Sequence, residues 1–206
     1  MSDLSYVNEL TPEEAMNYLR TLFNYVWWED IRAKVWEDKL PGPSWVWAYE
    51  AIERLERGPE PETLMELGEI TGINRSEIYL IWSKLSERQR EKAIRDITRD
   101  LASKGLEKFL EAIAGALSVF DITEEGRRSL EHILSKAVQF VKGKINFDEL
   151  MNSVAELLSQ RMRDRDSEIF MKGAALGKYL TRTELKKLVE KPFIRVLDKI
   201  LYADEY

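Results

Sequence analysis

TLMELGEITGINRSEIYLIWSKL, residues 63–85, decides more about the fold of this 206-residue chain than any other stretch. Gly68 lies where a first helix would touch a second, and its small size allows close approach. Gly72 is expected to take a positive φ at the turn, a conformation in which a Cβ would clash. Three isoleucines supply apolar contacts at helical spacing: Ile73, Ile78 and Ile81. The stretch therefore predicts two short helices packed around a tight turn.

Helix start signals recur along the rest of the chain, whereas strand signals are nearly absent. Gly105 and Pro192 are expected to interrupt the helices that contain them. Four residue pairs have the spacing of a capping box, which satisfies backbone N–H groups at a helix start: Thr11 with Glu14, Ser86 with Gln89, Asn146 with Glu149, and Thr181 with Glu184. The predicted fold class is all-α, with eight to ten helices.

All candidate linkers are short, so the domain boundary is soft and a single domain is an alternative. We divide the chain into residues 1–104, which contain the helical corner, and residues 105–206, a C-terminal helical bundle. The longest uncharged run, 40–49, has ten residues, and the run at 112–120 has nine, whereas roughly 18 to 20 are needed to cross a bilayer. The acidic N-terminus does not resemble a signal peptide. We therefore expect a cytoplasmic protein with no membrane partner.

Composition excludes several classes of enzyme. The chain has no cysteine and one histidine, so disulfides, thiolate chemistry, zinc clusters and a Ser-His-Asp triad are excluded or nearly so. No acid-base or metal constellation converges along the sequence, which predicts a non-enzymatic protein without metal or cofactor. Three glutamines against 37 acidic and 31 basic residues resemble the composition of thermophile proteins.

Residues 63–85 resemble the helix-turn-helix superfamily, as found in repressors and in the last region of sigma factors. In that superfamily the turn and the start of the second helix face the major groove of DNA. Asn suits adenine and Arg suits guanine through paired hydrogen bonds. By position, the resemblance assigns groove contact to Asn74, Arg75, Ser76, Tyr79 and Ser83. It therefore implies double-stranded DNA as the partner and transcription regulation as the function.

Acidic residues lie close to this candidate contact surface. Glu66, Glu69 and Glu77 outnumber the two basic residues of 63–85. Phosphate binding needs several cations that release counterions, and we expect these from the segment that follows: Arg88, Arg90, Lys92, Arg95 and Arg99. The alternative interpretation is a helical corner inside an ordinary all-α domain, because the same spacing serves any tight helix pair.

Five of the six tryptophans lie within 21 residues: Trp27, Trp28, Trp36, Trp45 and Trp47. Burying one removes roughly 200 Å² from water, about 5 kcal/mol as an upper bound, whereas stacking on a base contributes about 1 to 3 kcal/mol. We therefore expect core or oligomer-interface contacts, with base stacking and a small-molecule pocket as alternatives. Because Trp27 and Trp28 diverge by about 100° on a helix, one of them is expected to face outward or into an interface.

Charge is unevenly distributed along the chain, whose net charge is −6. Residues 1–70 carry 6 basic and 15 acidic groups, whereas residues 159–199 carry 11 basic and 6 acidic groups. The second region offers a candidate basic surface for single-stranded nucleic acid or RNA: Arg161, Arg163, Arg165, Lys178, Arg182, Lys186 and Lys187. A solvated face with intrahelical ion pairs is the alternative.

Small residues also occur in this basic region. Gly173 and Gly177 are one residue too close together for a phosphate-binding loop, and Tyr179 occupies the position where such a loop has Ser or Thr. We expect Gly173, Ala174 and Gly177 to form a small helix face that admits another backbone.

Two hypotheses for function follow from these patterns. The first is a DNA-binding or transcription-regulatory protein that self-associates through the tryptophan region or the C-terminal bundle. The second is a helical scaffold or assembly subunit of a protein or nucleoprotein complex, which binds its partners through the Trp-rich and basic C-terminal surfaces. Exposure of the side chains at 74, 75 and 79 distinguishes the two, because groove contact is impossible if they are buried.

Overall fold

The computed structural model describes residues 3–119 and 123–202, and these residues form helices and turns without any β-strand. The predicted all-α fold of eight to ten helices is confirmed, since the described residues form ten helices when the continuous helix over residues 12–36 is counted once. The chain divides into two compact units, residues 1–102 and 103–206. The boundary between the two units falls inside a continuous helix. The predicted boundary at residue 104 had been placed where Gly105 was expected to interrupt that helix.

Unit 1 has a continuous first long helix, because α2 passes into a π-helical segment and then into α3. The helices that begin in this unit are α1 (Ser5–Glu9), α2 (Pro12–Thr21), the π segment (Leu22–Trp27), α3 (Trp28–Trp36), α4 (Ser44–Arg57), α5 (Pro61–Glu69), α6 (Arg75–Ser83) and α7 (Glu87–Ser118). The helices that begin in unit 2 are α8 (Glu124–Val141), α9 (Phe147–Ser159), α10 (Asp164–Ala175), a 3₁₀ segment (Leu176–Tyr179) and α11 (Arg182–Leu201).

All four predicted capping boxes are present. In each, the side chain at the helix start accepts a hydrogen bond from the backbone N–H three residues later, and the later side chain accepts one in return. Thr123 likewise accepts a hydrogen bond from Gly126 N at the start of α8, at 3.1 Å. Helix starts are therefore encoded locally, because each needs only two side chains within one turn.

The two predicted helix interruptions are wrong. Gly105 lies inside the continuous α7, and Pro192 lies inside α11. A helical glycine costs about 1 kcal/mol and a helical proline about 3 kcal/mol, but the residues that follow each are buried: Leu106 and Phe109 after Gly105, and Phe193 and Val196 after Pro192. Burying one such side chain contributes about 1.5 to 3 kcal/mol, so packing outweighs the local preference.

Trp27 and Trp28 correct a second expectation, because both are buried within unit 1. Their rings stack with centroids 6.4 Å apart. The π segment ends at Trp27, and its i→i+5 hydrogen bonds give a smaller rotation per residue than an α-helix. Because both side chains are already covered in the folded chain, neither forms part of an oligomer interface.

In unit 2, two glycines make room for aromatic rings. A Cβ on Gly173 would lie 2.3 Å from Phe109 Cδ2, and a Cβ on Gly177 would lie 2.5 Å from Phe147 Cε1. The predicted small-residue face is thus present at these two positions, but rings occupy it instead of a second backbone. Phe109 also packs edge-on against Phe170, with centroids 5.2 Å apart.

The close contact of Phe109 predicts that Gly173→Ala destabilises the protein. Gly115→Ala is the matched control, since Gly115 is also helical but a Cβ there would meet nothing within 4 Å. Overpacking at Gly173 should lower the free energy of unfolding by about 1 to 3 kcal/mol, whereas Gly115→Ala should leave it unchanged or raise it by up to about 1 kcal/mol. Urea denaturation of both variants measures this difference, and equal values would contradict it.

Candidate nucleic-acid interface

The predicted helical corner is formed by α5 and α6. Gly68 is buried where the helices meet, and a Cβ there would lie 3.1 Å from Ile78 Cδ1 and 3.3 Å from Ile73 Cβ. Ile81 is also buried. The predicted roles of Gly68 and the three isoleucines are confirmed, because an alanine at 68 would force these side chains apart.

The role predicted for Gly72 is wrong. Its φ is not positive, and a Cβ would meet nothing within 4 Å. The turn is closed without it, since Thr71 donates to the Gly68 carbonyl from both its backbone N, at 3.0 Å, and its hydroxyl, at 3.1 Å. Asn74 then starts α6 in an extended conformation. The turn therefore needs no positive φ, and any L-residue could adopt the backbone conformation at position 72.

Side chains from the first long helix bind the carbonyl groups at the end of α5. Trp27 Nε1 donates to Leu67 O at 3.0 Å, and this contact is buried. Lys34 Nζ donates to Ile70 O. These carbonyls have no partner within α5, and leaving them buried and unpaired would cost free energy. Trp27 and Lys34 thus attach the corner to the π segment and α3.

One face of α6 is open to solvent. Arg75, Ser76, Tyr79 and Ser83 are exposed, and at 100° per residue they span about 80° to 100° of the helix surface. Asn74 is exposed too, but its Oδ1 accepts the Ser76 backbone N–H at 2.8 Å and caps the helix. To pair with adenine, the side-chain amide of Asn74 would have to turn away from the Ser76 N–H and towards the base. The structure therefore gives Asn74 a capping role.

Glu77 is not on that open face. It is buried, and its Oε1 accepts hydrogen bonds from Tyr6 on α1 and from Tyr18 on α2, the latter at 2.7 Å. The expectation that Glu77 places an acid beside the contact surface is therefore wrong. The physical reason is helical phase, because Glu77 lies one turn before the buried Ile81.

Burial raises the pKa of the Tyr18 hydroxyl far above its ordinary value of 10.0, and the hydrogen bond to the Glu77 carboxylate raises it further. The pKa of Tyr6 is raised for the same two reasons. Both phenols therefore stay protonated and keep donating to Glu77 at neutral pH.

Arg75 already has an anionic partner. Its guanidinium forms an ion pair with Glu69 at the end of α5, and both side chains are about half exposed. An exposed pair of this kind contributes less than about 1 kcal/mol. Arg75 can therefore exchange Glu69 for another anion or a base edge at small cost.

Four exposed cations form what we call the α7 stripe: Arg88, Lys92, Arg95 and Arg99. Their spacing of four, three and four residues puts them on one face of α7 over about 16 Å. Asp100 lies on another side of the helix, where it accepts hydrogen bonds from Arg20 and Asn24. In the sequence, the stripe begins five residues after Ser83, the last residue of α6.

Arg90 does not belong to this stripe. Its Nε donates to Trp82 O at 3.2 Å, and its guanidinium lies over the Trp82 ring, 5.4 Å from the centroid. Lys84 similarly donates to the carbonyls of Asn8 and Leu10 at 2.8 and 2.9 Å. The predicted phosphate-binding role of Arg90 is corrected, since both cations join elements of unit 1.

The predicted C-terminal basic surface is spread over several elements of unit 2. Arg182 is a structural residue, because it donates to Phe140 O at 2.6 Å and covers the end of α8 at Gly143. Lys178 lies over the Tyr179 ring at 4.9 Å. The exposed members that remain are Arg161, Arg163, Arg165 and Lys187, whereas Lys186 is half-buried. Acidic residues at 164, 166 and 168 alternate with the three arginines, which favours the solvated-face alternative.

The other tryptophans of the predicted interface differ in exposure. Trp45 and Trp47 on α4 are half-buried, and Trp47 Nε1 donates to Pro41 O at 3.0 Å. Trp36 at the end of α3 is 89% exposed. Trp36 is thus the one member of the predicted tryptophan interface that presents most of its ring to solvent.

Two clusters were missed by sequence reasoning. One is the Tyr6, Tyr18 and Glu77 contact, and the other joins Asp100 to Arg20 and Asn24. Both join residues more than 50 positions apart, and no local pattern encodes such pairs. The helical phase of Glu77 with Ile81 was the signal that could have indicated its burial.

Within residues 3–119 and 123–202, no group of three or more His, Asp or Glu side chains is arranged to hold a metal ion. In that same part of the chain, no helix is both long and apolar enough to cross a membrane. No protein-family model matches the sequence, and comparison with curated proteins and with solved structures gave no match either.

The buried tyrosine contact predicts a change in stability with pH. Because the pKa of Tyr18 is raised in the folded state, its contribution is fully present below pH 10 and is lost as the pH rises above 10, where the unfolded chain ionises first. Tyr18→Phe should lower the free energy of unfolding by about 1.5 kcal/mol at pH 7. The variant should also lose stability less steeply than wild type between about pH 10 and 11.

Tyr202→Phe is the matched control, because that phenol is half exposed on unit 2. Chemical denaturation at several pH values measures all three proteins. If Tyr18→Phe and Tyr202→Phe behave alike, the Tyr18 hydrogen bond does not stabilise the fold as described.

Proposed function

We propose that this protein binds double-stranded DNA without catalysing a reaction and acts as a transcription regulator. The open face of α6 followed by the α7 stripe supports this function best. The inward orientation of Glu77 is the observation that carries it, since it removes one of the three acids expected beside the contact surface.

The two surfaces have different roles in this proposal. Arg75, Ser76, Tyr79 and Ser83 lie on the short helix that follows the corner, which suits contact with base edges and nearby phosphates in a major groove. The α7 stripe supplies positive charge for phosphates, which fixes position without reading sequence. Asn74 supports the start of α6 instead of reading a base.

The local charge favours this surface although the chain as a whole is acidic. Residues 71–102 carry 7 basic and 5 acidic groups, whereas residues 1–70 carry 6 and 15. Of those five acids, Glu77 is buried and Asp100 is paired with Arg20. Four phosphate contacts would give a slope of log affinity against log salt of about −3.6.

A second candidate is an assembly role, which the exposure of Trp36 favours. Large aromatic side chains are enriched at protein interfaces. In this case the α7 stripe would be a solvated face, and duplex DNA would not bind.

Removing charge from the α7 stripe should weaken duplex binding at every sequence. Lys92→Ala with Arg95→Ala removes two exposed cations, and the salt slope should become less steep by about 2. Mobility shift with random duplex pools at low and moderate salt measures this. Lys187→Ala, an exposed cation of unit 2, is the control and should leave binding unchanged. Absence of binding by the wild type at both salt concentrations would eliminate the DNA-binding proposal and leave the assembly role.

Glu69→Gln should tighten duplex binding, because it removes the anionic partner of Arg75. Arg75→Ala should instead weaken binding by about 1 to 3 kcal/mol on a preferred sequence and much less on random DNA, as expected for a base contact. Titration on a selected sequence and on random duplex separates these effects. Equal losses on both would show that Arg75 contacts phosphate only.

A further inference from the structure

Helices α8 and α11 of unit 2 pack against each other in opposite directions. Arg127 near the start of α8 donates to Ile200 O near the end of α11, at 3.2 Å. Arg182 at the start of α11 donates to Phe140 O near the end of α8, at 2.6 Å. The pair is therefore held at both ends by arginine side chains that bind backbone carbonyls.

An apolar groove of about 390 Å³ runs between the two helices on their outer side. Its walls include Leu134 and Val141 of α8 and Val189 and Phe193 of α11. A groove between two antiparallel helices is the shape that a further helix fills in a helical bundle.

Large apolar side chains at the rim of this groove extend into solvent. Val138 lies on α8, and Ile194 and Leu197 lie on α11. Leu201, beyond the groove lining, continues the same face of α11 four residues further on. Between 41% and 61% of each residue is exposed. A contiguous apolar face of this kind is typical of an interaction surface, because leaving it in water is unfavourable.

The charges on the groove side of α8 indicate what covers it. Glu131 and Lys142 both line the groove, are exposed, and lie on one face with Val138 between them. They are eleven residues apart, or about 16 Å along the helix. Glu190 of α11 is the third charged side chain of the lining, and it is also exposed. The α8 side of the groove thus has a negative end, an apolar middle and a positive end.

This face of α8 is complementary in charge to the same face of a second copy in the antiparallel orientation. A two-fold axis across the middle of α8 places the α8 helices of two copies antiparallel, so that Glu131 of each copy meets Lys142 of the other. A parallel arrangement would instead place like charges side by side. We propose that a second copy of this chain covers the groove, so that two α8–α11 pairs form a four-helix bundle across a two-fold axis.

This dimer goes beyond the proposed DNA-binding function and does not require it. It also assigns self-association to a surface other than the tryptophan region. Along α8 the interface would be apolar at its centre and charged at both ends, whereas on α11 the exposed Glu190 lies about level with the middle of α8.

Sedimentation velocity of the full chain tests the proposal over a range of protein and salt concentrations. The wild type should sediment as a species of twice the chain mass of 24.1 kDa. Val138→Glu should weaken the dimer by at least about 100-fold, because Val138 lies near the two-fold axis and a carboxylate there would be buried in the apolar middle of the α8 face. Met171→Glu replaces another exposed apolar residue of unit 2, on α10, and should leave the dimer intact.

A charge-reversal cycle then tests the two-fold pairing. Glu131→Lys and Lys142→Glu should each weaken the dimer, since each creates two like-charged contacts, and the double variant should restore it. All four substituted positions are on the surface, so circular dichroism should show an unchanged fold. A monomeric wild type, a dimer unaffected by Val138→Glu, or single reversals that the double variant fails to rescue would each overturn the proposal. Capture of a different helical protein by a monomeric wild type would likewise overturn it.

Discussion

The hydrogen bonds that Tyr6 and Tyr18 donate to the buried Glu77 carboxylate fix the rotation of α6 about its axis. A carboxylate inside a protein is tolerated only when donors satisfy it. With Glu77 held inward beside Ile78 and Ile81, the residues at 75, 76, 79 and 83 must face solvent. This polar contact and the burial of Ile78 and Ile81 together decide which side of α6 a partner can reach.

On α7, too, an acidic side chain lies on the packed side of the helix and cations lie on the solvent side. Asp100 accepts hydrogen bonds from Arg20 and Asn24 of the first long helix, which keeps this acid on the packed side. The α7 stripe of cations then occupies the solvent side. In both helices, donors from the first 24 residues bind an acidic side chain of a later helix. An acidic chain can thereby keep two carboxylates away from a local surface that carries exposed cations.

In unit 2 the contacts depend on the small size of two glycines and on hydrogen bonds that join the ends of two antiparallel helices. Gly173 and Gly177 leave space that Phe109 and Phe147 fill, and Arg127 and Arg182 join the ends of α8 and α11. The groove that remains between those helices has apolar rims and, along α8, oppositely charged ends. Its shape depends on the antiparallel packing, whereas its charge pattern can be read along α8 alone.

Sequence alone determined the helix starts, the all-α class and the packing of Gly68 with its isoleucines, because each depends on residues within a few turns. It did not determine where α7 and α11 continue, since burial of Phe109 and Phe193 overrides the local cost of Gly105 and Pro192. The resemblance indicated the positions of the candidate site, but their exposure and the roles of Glu77, Arg90 and Arg182 were not predicted. Those roles depend on partners distant in the chain or on the backbone, and only tertiary packing brings such groups within hydrogen-bonding distance.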